Sequence, residues 1–164
     1  MSDSFAEDPK IQQIAAAYSL DAVEFANSHF SVVLNWTDMS VRHVERILSI
    51  MHDQLVLAEP SDGEVFHFAK MFGSYVGEVF RRNHGATWGM VNLFGESFPG
   101  LKANGHAGLF WPWRRAQNRL LHGPEDNMWH YYQMLIERDD DHATGTSCES
   151  RPERKSWWDR FRGK

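Results

Sequence analysis

The chain has 164 residues and a formal net charge of −5, with 42% apolar and 24% charged residues. These values lie near globular averages, so they exclude wholesale disorder and fit one domain, or one domain with a tail. A single cysteine, Cys148, excludes an intramolecular disulfide framework and a zinc site built on several thiolates. No apolar run approaches the ~20 residues that cross a bilayer, and residues 1–10 lack a signal-peptide pattern. The sequence therefore favours a cytoplasmic protein without stable membrane association.

Charge is divided unevenly along the chain. Residues 1–150 carry 11 basic and 20 acidic side chains, a net of −9, whereas residues 151–164 carry 6 and 2, a net of +4. An acidic body repels nucleic-acid phosphate and favours basic partners, so we expect no direct binding of nucleic acid. A moderately acidic surface that merely keeps the protein in solution is the simpler interpretation.

Two helices are predicted before residue 60. Apolar residues recur every three or four positions from residue 9 to about residue 27, which is the spacing of one helical stripe, although Ser19 and Asp21 could break it into two helices. Residues 29–36 predict an extended connector. A second helix begins in the polar sequence 37–40, where a side-chain oxygen can accept from a free amide, and ends near Leu57.

A third helix is predicted to be the most buried one. It begins at Ser61, which has capping-box spacing with Glu64, and it is apolar over much of its circumference until about residue 85. Gly73 and Gly77 lie four positions apart on one face of this helix. Because each costs about 1 kcal/mol of helix propensity relative to alanine, we expect another element to approach the helix closely there.

The remaining elements predict a small sheet and two more helices. Residues 86–94 and 107–111 are rich in aromatic and branched residues, which indicates two or three short antiparallel strands bounded by glycines. Helices are expected at 113–121 and from Pro124 onwards. The predicted fold is therefore a single, mainly helical α+β domain with about five helices, spanning residues 9–138. Flexible segments are expected at residues 1–8 and in the charged and aromatic tail 139–164.

No catalytic motif accompanies this pattern. The nine histidines contain no i, i+4 pair, and the sequence has no H-E-x-x-H, no G-x-S-x-G and no phosphate-cradling glycine loop. We therefore predict no catalytic residue, no metal and no cofactor. Two carboxylates on different helices, Glu45 and Glu78, could form an acid–base site with a histidine. A plain i, i+4 ion pair between Glu78 and Arg82 is the simpler interpretation.

Surplus aromatic residues are the more distinctive feature. Trp, Tyr and Phe make up 13% of the chain, and several of them cluster near the last two helices beside arginines. Trp, Tyr and Arg dominate the hot spots of protein interfaces. We predict that Trp113, Arg114 and Tyr131 contact a partner, whereas Trp111 and Trp129 are expected in the core.

Two stretches carry a family resemblance. The first runs through residues 21–27 and 34–48, and the second through residues 73–79 and 85–88, followed by Phe-Trp-Pro at 110–112 and R-L-L-H-G-P-E-D at 119–126. Together they resemble a family of small, uncharacterised bacterial proteins, some of which are immunity proteins of secreted toxins. The resemblance covers roughly residues 20–137 and brings no catalytic motif. It implies an inhibitor of a cognate toxin, such as a type VI secretion effector.

The leading hypothesis is therefore a non-enzymatic immunity protein that occludes the active site of its toxin. A nuclease toxin would have a basic substrate channel, which an acidic surface complements. The acids expected to make the contact are Glu59, Asp62 and Glu64 in one loop and Glu125 and Asp126 in another, although all five also suit helix starts. The alternatives are a small enzyme with a dispersed Glu/His site and a regulatory scaffolding module.

Overall fold

The computed structural model describes residues 4–104 and 108–143. Five α-helices and a four-stranded sheet follow one another along the chain. The elements are β1 (Ser4–Glu7), α1 (Pro9–Phe30), α2 (Ser40–Ala58), α3 (Asp62–His84), β2 (Ala86–Leu93), β3 (Glu96–Ala103), β4 (Leu109–Phe110), α4 (Pro112–His122), a 3₁₀ turn (Pro124–Asp126) and α5 (Met128–Ala143). The sheet is antiparallel throughout, in the order β1-β2-β3-β4. The predicted α+β class is confirmed.

The sheet is larger than the sequence predicted, with four strands in the described residues instead of two or three. β3 was missed because Pro99 and Gly100 lie inside it, and both residues usually interrupt a strand. β1 was missed because it is four residues long, and residues 1–8 were expected to be flexible. Ser4 instead pairs with Asn92, and Glu7 pairs with Gly89 at the other end of β1.

The first helix is longer and more continuous than predicted. Asp8 accepts a hydrogen bond from the Lys10 amide and thereby caps α1. Ser19 does not break the helix, because its hydroxyl donates a 2.7 Å hydrogen bond to the Ala16 carbonyl within the same helix. The helix ends only where Ser31 turns into the left-handed region at φ 53°. The extended connector is accordingly shorter than the predicted 29–36.

The two following helices agree with their predicted limits. α2 ends at Ala58, after which Glu59 adopts a left-handed φ of 46°, and α3 begins after Ser61. The Ser61 hydroxyl accepts a 3.3 Å hydrogen bond from the Glu64 amide, as the capping-box spacing predicted. α3 is the central helix, since every residue from Met71 to Phe80 is buried.

Close packing explains the two glycines of α3. A Cβ on Gly73 would lie 2.7 Å from the Pro112 carbonyl oxygen at the start of α4, and a Cβ on Gly77 would lie 2.4 Å from the Trp88 ring of β2. Neither distance is sterically possible. The glycines therefore let α4 on one side and the sheet on the other approach the central helix, as the sequence predicted.

The C-terminal part departs from its predicted limits. Residues 124–126 form a 3₁₀ turn, and α5 begins at Met128 instead of Pro124. This helix continues to Ala143, five residues beyond the domain boundary expected at residue 138. The rest of the predicted tail, residues 144–164, lies outside the described residues. In the part of the chain that the structure describes, no helix combines the length and apolar character needed to span a membrane.

Candidate functional site

The three acids predicted to contact a partner lie together around the connection between α2 and α3. Glu59, Asp62 and Glu64 are all exposed. Exposed apolar side chains flank them: Val56 is 70% and Leu57 is 88% accessible before the connection, and Phe66 is 40% accessible after it. We call residues 56–66 the acidic turn. It combines an uncovered apolar surface with three carboxylates within eleven residues of sequence.

Glu125 and Asp126, the other two acids predicted to contact a partner, differ in exposure. Glu125 is exposed, but Asp126 is half-buried and accepts a 3.1 Å hydrogen bond from the Arg115 guanidinium on α4. That ion pair joins the 3₁₀ turn to α4. Glu125 is therefore available to a partner, whereas Asp126 has an internal structural role.

The structure places Trp113 in the core, and it leaves Trp111 and Trp129 partly exposed, with Trp129 packed against the core. Trp113 is 8% exposed, and its indole NH donates a 2.7 Å hydrogen bond to the Ser74 hydroxyl of α3, so its prediction as a contact residue is wrong. The Trp113 backbone lies close against Gly73 of α3, where a Cβ would be 2.7 Å from the Trp113 Cα, and sequence spacing does not show such a contact between distant residues. Trp111 and Trp129, which were expected in the core, are half-exposed.

Of the two remaining contact candidates, only one is open to solvent. Arg114 is exposed on α4. Tyr131 is half-buried, and its hydroxyl accepts a hydrogen bond of 3.3 Å from the Trp111 amide while the Arg115 guanidinium lies 4.4 Å from its ring centroid. Burial raises the pKa of Tyr131 above its ordinary value. Its hydroxyl thus helps to fix the start of α4.

Glu78 is held in a buried hydrogen-bonding site at the centre of the molecule. It is fully buried, and it accepts hydrogen bonds from Trp88 Nε1 at 2.8 Å and from Gln12 Nε2 at 3.1 Å. Arg81 forms a two-pronged ion pair with it at 2.9 and 2.8 Å. Burial alone would raise the pKa of Glu78, but the hydrogen bonds and the charge of Arg81 outweigh it and lower the pKa.

The predicted ion pair between Glu78 and Arg82 is present but secondary. The Arg82 Nε lies 3.8 Å from the carboxylate, about 1 Å farther than Arg81. Glu78 therefore joins α1, α3 and β2 as an ionised structural group.

Glu45 makes a second, separate anchor. Its carboxylate accepts 2.8 and 2.7 Å hydrogen bonds from Arg119 Nε on α4 and from the Met128 amide at the start of α5. Glu45 and Glu78 thus each have their own arginine, and the structure does not bring them into one acid–base site.

A different polar cluster was missed by sequence reasoning. Asp38, just before α2, accepts a 2.6 Å hydrogen bond from the Tyr132 hydroxyl and a 3.1 Å bond from the Asn83 amide. The His84 Nε2 lies 3.1 and 3.0 Å from its two carboxylate oxygens. We call these four residues the Asp38 cluster. Residues this far apart in sequence carry no spacing signal, and Asp38 was interpreted only as part of a helix start.

Electrostatics in the Asp38 cluster favour the carboxylate. Burial raises the pKa of Asp38, but hydrogen bonds from Tyr132 and His84 outweigh it, and the resulting pKa is lowered. The pKa of Tyr132 is raised, first by burial and then by its hydrogen bond to the carboxylate. A carboxylate that orients an imidazole is an arrangement found in general bases, so this cluster is the described site closest to acid–base chemistry.

A strained loop residue lies beside this cluster. Trp36 has φ 65°, which is uncommon for a residue with a side chain. Its amide donates a 2.9 Å hydrogen bond to the Tyr75 hydroxyl, its carbonyl accepts one from Asn83, and the Arg82 guanidinium lies 3.7 Å from its ring centroid. These contacts on three sides hold the loop in its strained conformation.

Metal ligands are not brought together in the described part of the chain. No group of three or more His, Cys, Asp or Glu side chains there could hold a metal ion. His52 has a structural contact instead, since its Nδ1 lies 2.6 Å from the Leu120 carbonyl oxygen.

Comparisons with known proteins find a similar fold but give no information on function. No protein-family model matches the chain, and no curated protein matches it. A structure from Bacteroides thetaiotaomicron VPI-5482, solved at 1.50 Å resolution, is similar, with a TM-score of 0.60 and 12% sequence identity. The match covers 84% of this chain and 48% of that one, so this chain spans about half the length of its structural neighbour. A likeness at this identity shows the fold alone. The resemblance to immunity proteins stays a prediction.

Proposed function

We propose that the protein is a non-enzymatic immunity protein that binds a cognate bacterial toxin and occludes its active site. The acidic turn is the observation that carries this proposal. Its three exposed carboxylates stand between exposed Val56, Leu57 and Phe66. Val56 and Leu57 are adjacent and each more than two-thirds exposed, and apolar surface left open in this way supports an interaction surface where it is continuous.

Apolar and acidic residues would contribute differently to such an interface. Burial of Leu57 and Val56 against a partner supplies affinity, at about 25 cal/mol for each Å² of apolar surface removed from water. Glu59, Asp62 and Glu64 supply selectivity for a basic surface and accelerate encounter with it. A toxin that cleaves nucleic acid has such a surface in its substrate channel, because it must bind phosphates. The toxin proposed here is therefore one with a basic active site.

The experiment begins by isolating the partner with the tagged chain at low ionic strength and identifying it by mass spectrometry. The purified partner is then mixed with wild-type protein and with the triple variant E59K/D62K/E64K, and association rates and residual toxin activity are measured. A matched control, D21K/E24K/E137K, makes the same charge change at three exposed acids outside the turn.

We expect wild-type protein to inhibit the toxin, and the turn variant to associate at least about tenfold more slowly than the control. The difference should shrink as salt is added. Equal association rates for the two variants would remove the acidic turn from the interface. A partner that binds with unchanged activity would refute the neutralising role. Thermal melts of both variants establish that each is folded.

An enzyme remains the second candidate, and only the Asp38 cluster favours it. The His84 imidazole is held by the Asp38 carboxylate, and the two side chains are 15% and 34% exposed, so the pair is partly open to solvent. A hydrolytic or isomerase activity that H84Q abolishes while the variant stays folded would support this function over the immunity role.

A further inference from the structure

An open groove runs between α2 and the start of α5; none of its lining residues belongs to the acidic turn or to the Asp38 cluster, although Trp129 of its wall stacks on Tyr132 of that cluster, with 6.3 Å between ring centroids. It has a volume of about 380 Å³, within the range of small-molecule sites. One face of α2 forms its floor, and the first residues of α5 form its wall. The lining residues are Arg42, Glu45, Arg46, Ser49, Ile50, Asn127 and Trp129.

The groove carries an excess of positive charge. Arg42 and Arg46 are both exposed, and neither has an ion pair in residues 4–104 and 108–143. Glu45, the one acid of the lining, is already bound by Arg119 and by the Met128 amide. Arg42 and Arg46 lie four positions apart and therefore on the same face of α2. Together they favour an anion in the groove.

A buried donor adjoins the same site. Arg119 is 2% exposed, its Nε is bonded to Glu45, and its Nη1 has no hydrogen-bond partner. Arg119 does not line the groove, but its positive charge offsets that of Glu45, so the lining is left with the charges of Arg42 and Arg46.

The wall of the groove is flat and aromatic. Trp129 is half-exposed, and the Arg42 guanidinium lies 5.9 Å from its ring centroid. Ile50, 36% exposed, completes an apolar surface beside the two arginines. An indole and a guanidinium side by side suit a planar ligand that carries its charge at one end.

We infer that this groove binds a small organic anion, a carboxylate or phosphate carried on a flat aromatic body. The charged end pairs with Arg42 and Arg46, and the flat body lies against Trp129 and Ile50. The site is independent of the toxin proposal, because none of its lining residues belongs to the acidic turn. It gives the protein a ligand-binding role besides a protein-binding one.

Phenyl phosphate and inorganic phosphate are the two probes for the test, each titrated at low ionic strength while the backbone amide of Asn127, which lines the groove in every variant, is followed by NMR. The variants are R42Q, R46Q and W129L, with R114Q as the matched control because Arg114 is exposed but lies on α4, outside the groove. Thermal melts establish that each variant is folded, which is expected for the exposed arginines and is the necessary check for W129L, whose ring packs partly against the core.

The expected result is saturable binding of phenyl phosphate, weakened about tenfold by R42Q or R46Q and unchanged in R114Q. Inorganic phosphate should bind more weakly than phenyl phosphate, and W129L should remove that difference. Binding that R42Q and R46Q leave unchanged would overturn the proposal, as would an absence of saturation up to about 10 mM. Equal affinity for both probes in the wild-type protein would refute the aromatic part of the site.

Discussion

Tyr132 of α5 donates a 2.6 Å hydrogen bond to Asp38, the residue two positions before α2, across 94 residues of sequence. The bond is charge-assisted, because the pKa of Asp38 is lowered and the group is ionised at neutral pH. The same carboxylate also binds Asn83 and His84 at the end of α3. One anion thus joins the beginning of α2, the end of α3 and the first turns of α5.

Y132F therefore tests how much this junction stabilises the fold. Removing the hydroxyl deletes a buried hydrogen bond to a charged group, so we expect the free energy of unfolding to fall by about 1.5–3 kcal/mol. Y18F is the matched control, since the Tyr18 ring packs against His67 and its hydroxyl has no hydrogen bond to the described residues. Urea denaturation of both variants provides the measurement. A loss in Y132F no larger than in Y18F would show that the junction contributes little.

The lowered pKa of Glu78 predicts how the stability of the protein depends on pH. Its pKa is lowered in the folded state, so its contribution to stability is fully present above the unfolded pKa of about 4.3 and is lost as pH falls through the folded pKa. At neutral pH, E78Q should be less stable than the wild-type protein, because the variant loses the ion pair with Arg81. As the pH is lowered from about 5 towards 2, that difference should shrink. Urea midpoints of E78Q and wild-type protein across this pH range measure the stability difference. A difference that does not change with pH would contradict an ionised Glu78 in the folded protein.

Gly77 and Gly63 both lie in α3, one in a crowded and one in an open environment, so their alanine variants can be compared. A methyl group at Gly77 would collide with the Trp88 ring at 2.4 Å and with Leu101 at 2.7 Å, so G77A should destabilise the protein by about 1–3 kcal/mol. The nearest atom to a methyl at Gly63 is the Ser61 hydroxyl, 3.9 Å away. G63A should therefore stabilise by about 0.4–1 kcal/mol, through the lower entropy of its unfolded chain. Thermal or urea unfolding measures the change in the free energy of unfolding for each variant. If G77A and G63A change it in the same direction, the sheet does not pack on α3 this closely.

Glu45 and Arg119 are expected to act as one unit. R119M leaves the Glu45 carboxylate with the Met128 amide alone, and E45Q leaves a 2% exposed guanidinium without its counter-charge. Both single variants should be destabilised, and the double variant should lose less than the sum of the two. A coupling energy of about 0.5–3 kcal/mol from a double-mutant cycle would support the pair. Additive losses would show that the two side chains stabilise the protein independently.

The helices were largely predictable because each carries its own local signals. The stripe of α1, the Ser61 cap and the glycines of α3 all depend on residues within a few turns of one another. The strands were less predictable. β1 and β3 are stabilised by pairing with β2, and such pairing overrides the local preference of Pro99 and Gly100 against strands.

The candidate sites divide in the same way. The acidic turn is contiguous in sequence, so its residues could be named before its exposure was known. Trp113 was misassigned because composition does not show which tryptophan enters the core. The Asp38 cluster and the groove could not be predicted at all, since each unites residues more than forty positions apart.

The distribution of charge along α2 has a consequence for orientation. Its cations, Arg42 and Arg46, lie in the first half of the helix, and the anion Glu59 follows its last residue, roughly 20 Å further on at 1.5 Å per residue. This order is the reverse of the one that the helix dipole favours. α2 is therefore polarised, with positive charge near its beginning and negative charge just beyond its end. In the proposed complex, a basic toxin would be attracted to the Glu59 end of α2 and repelled from the end that carries Arg42 and Arg46.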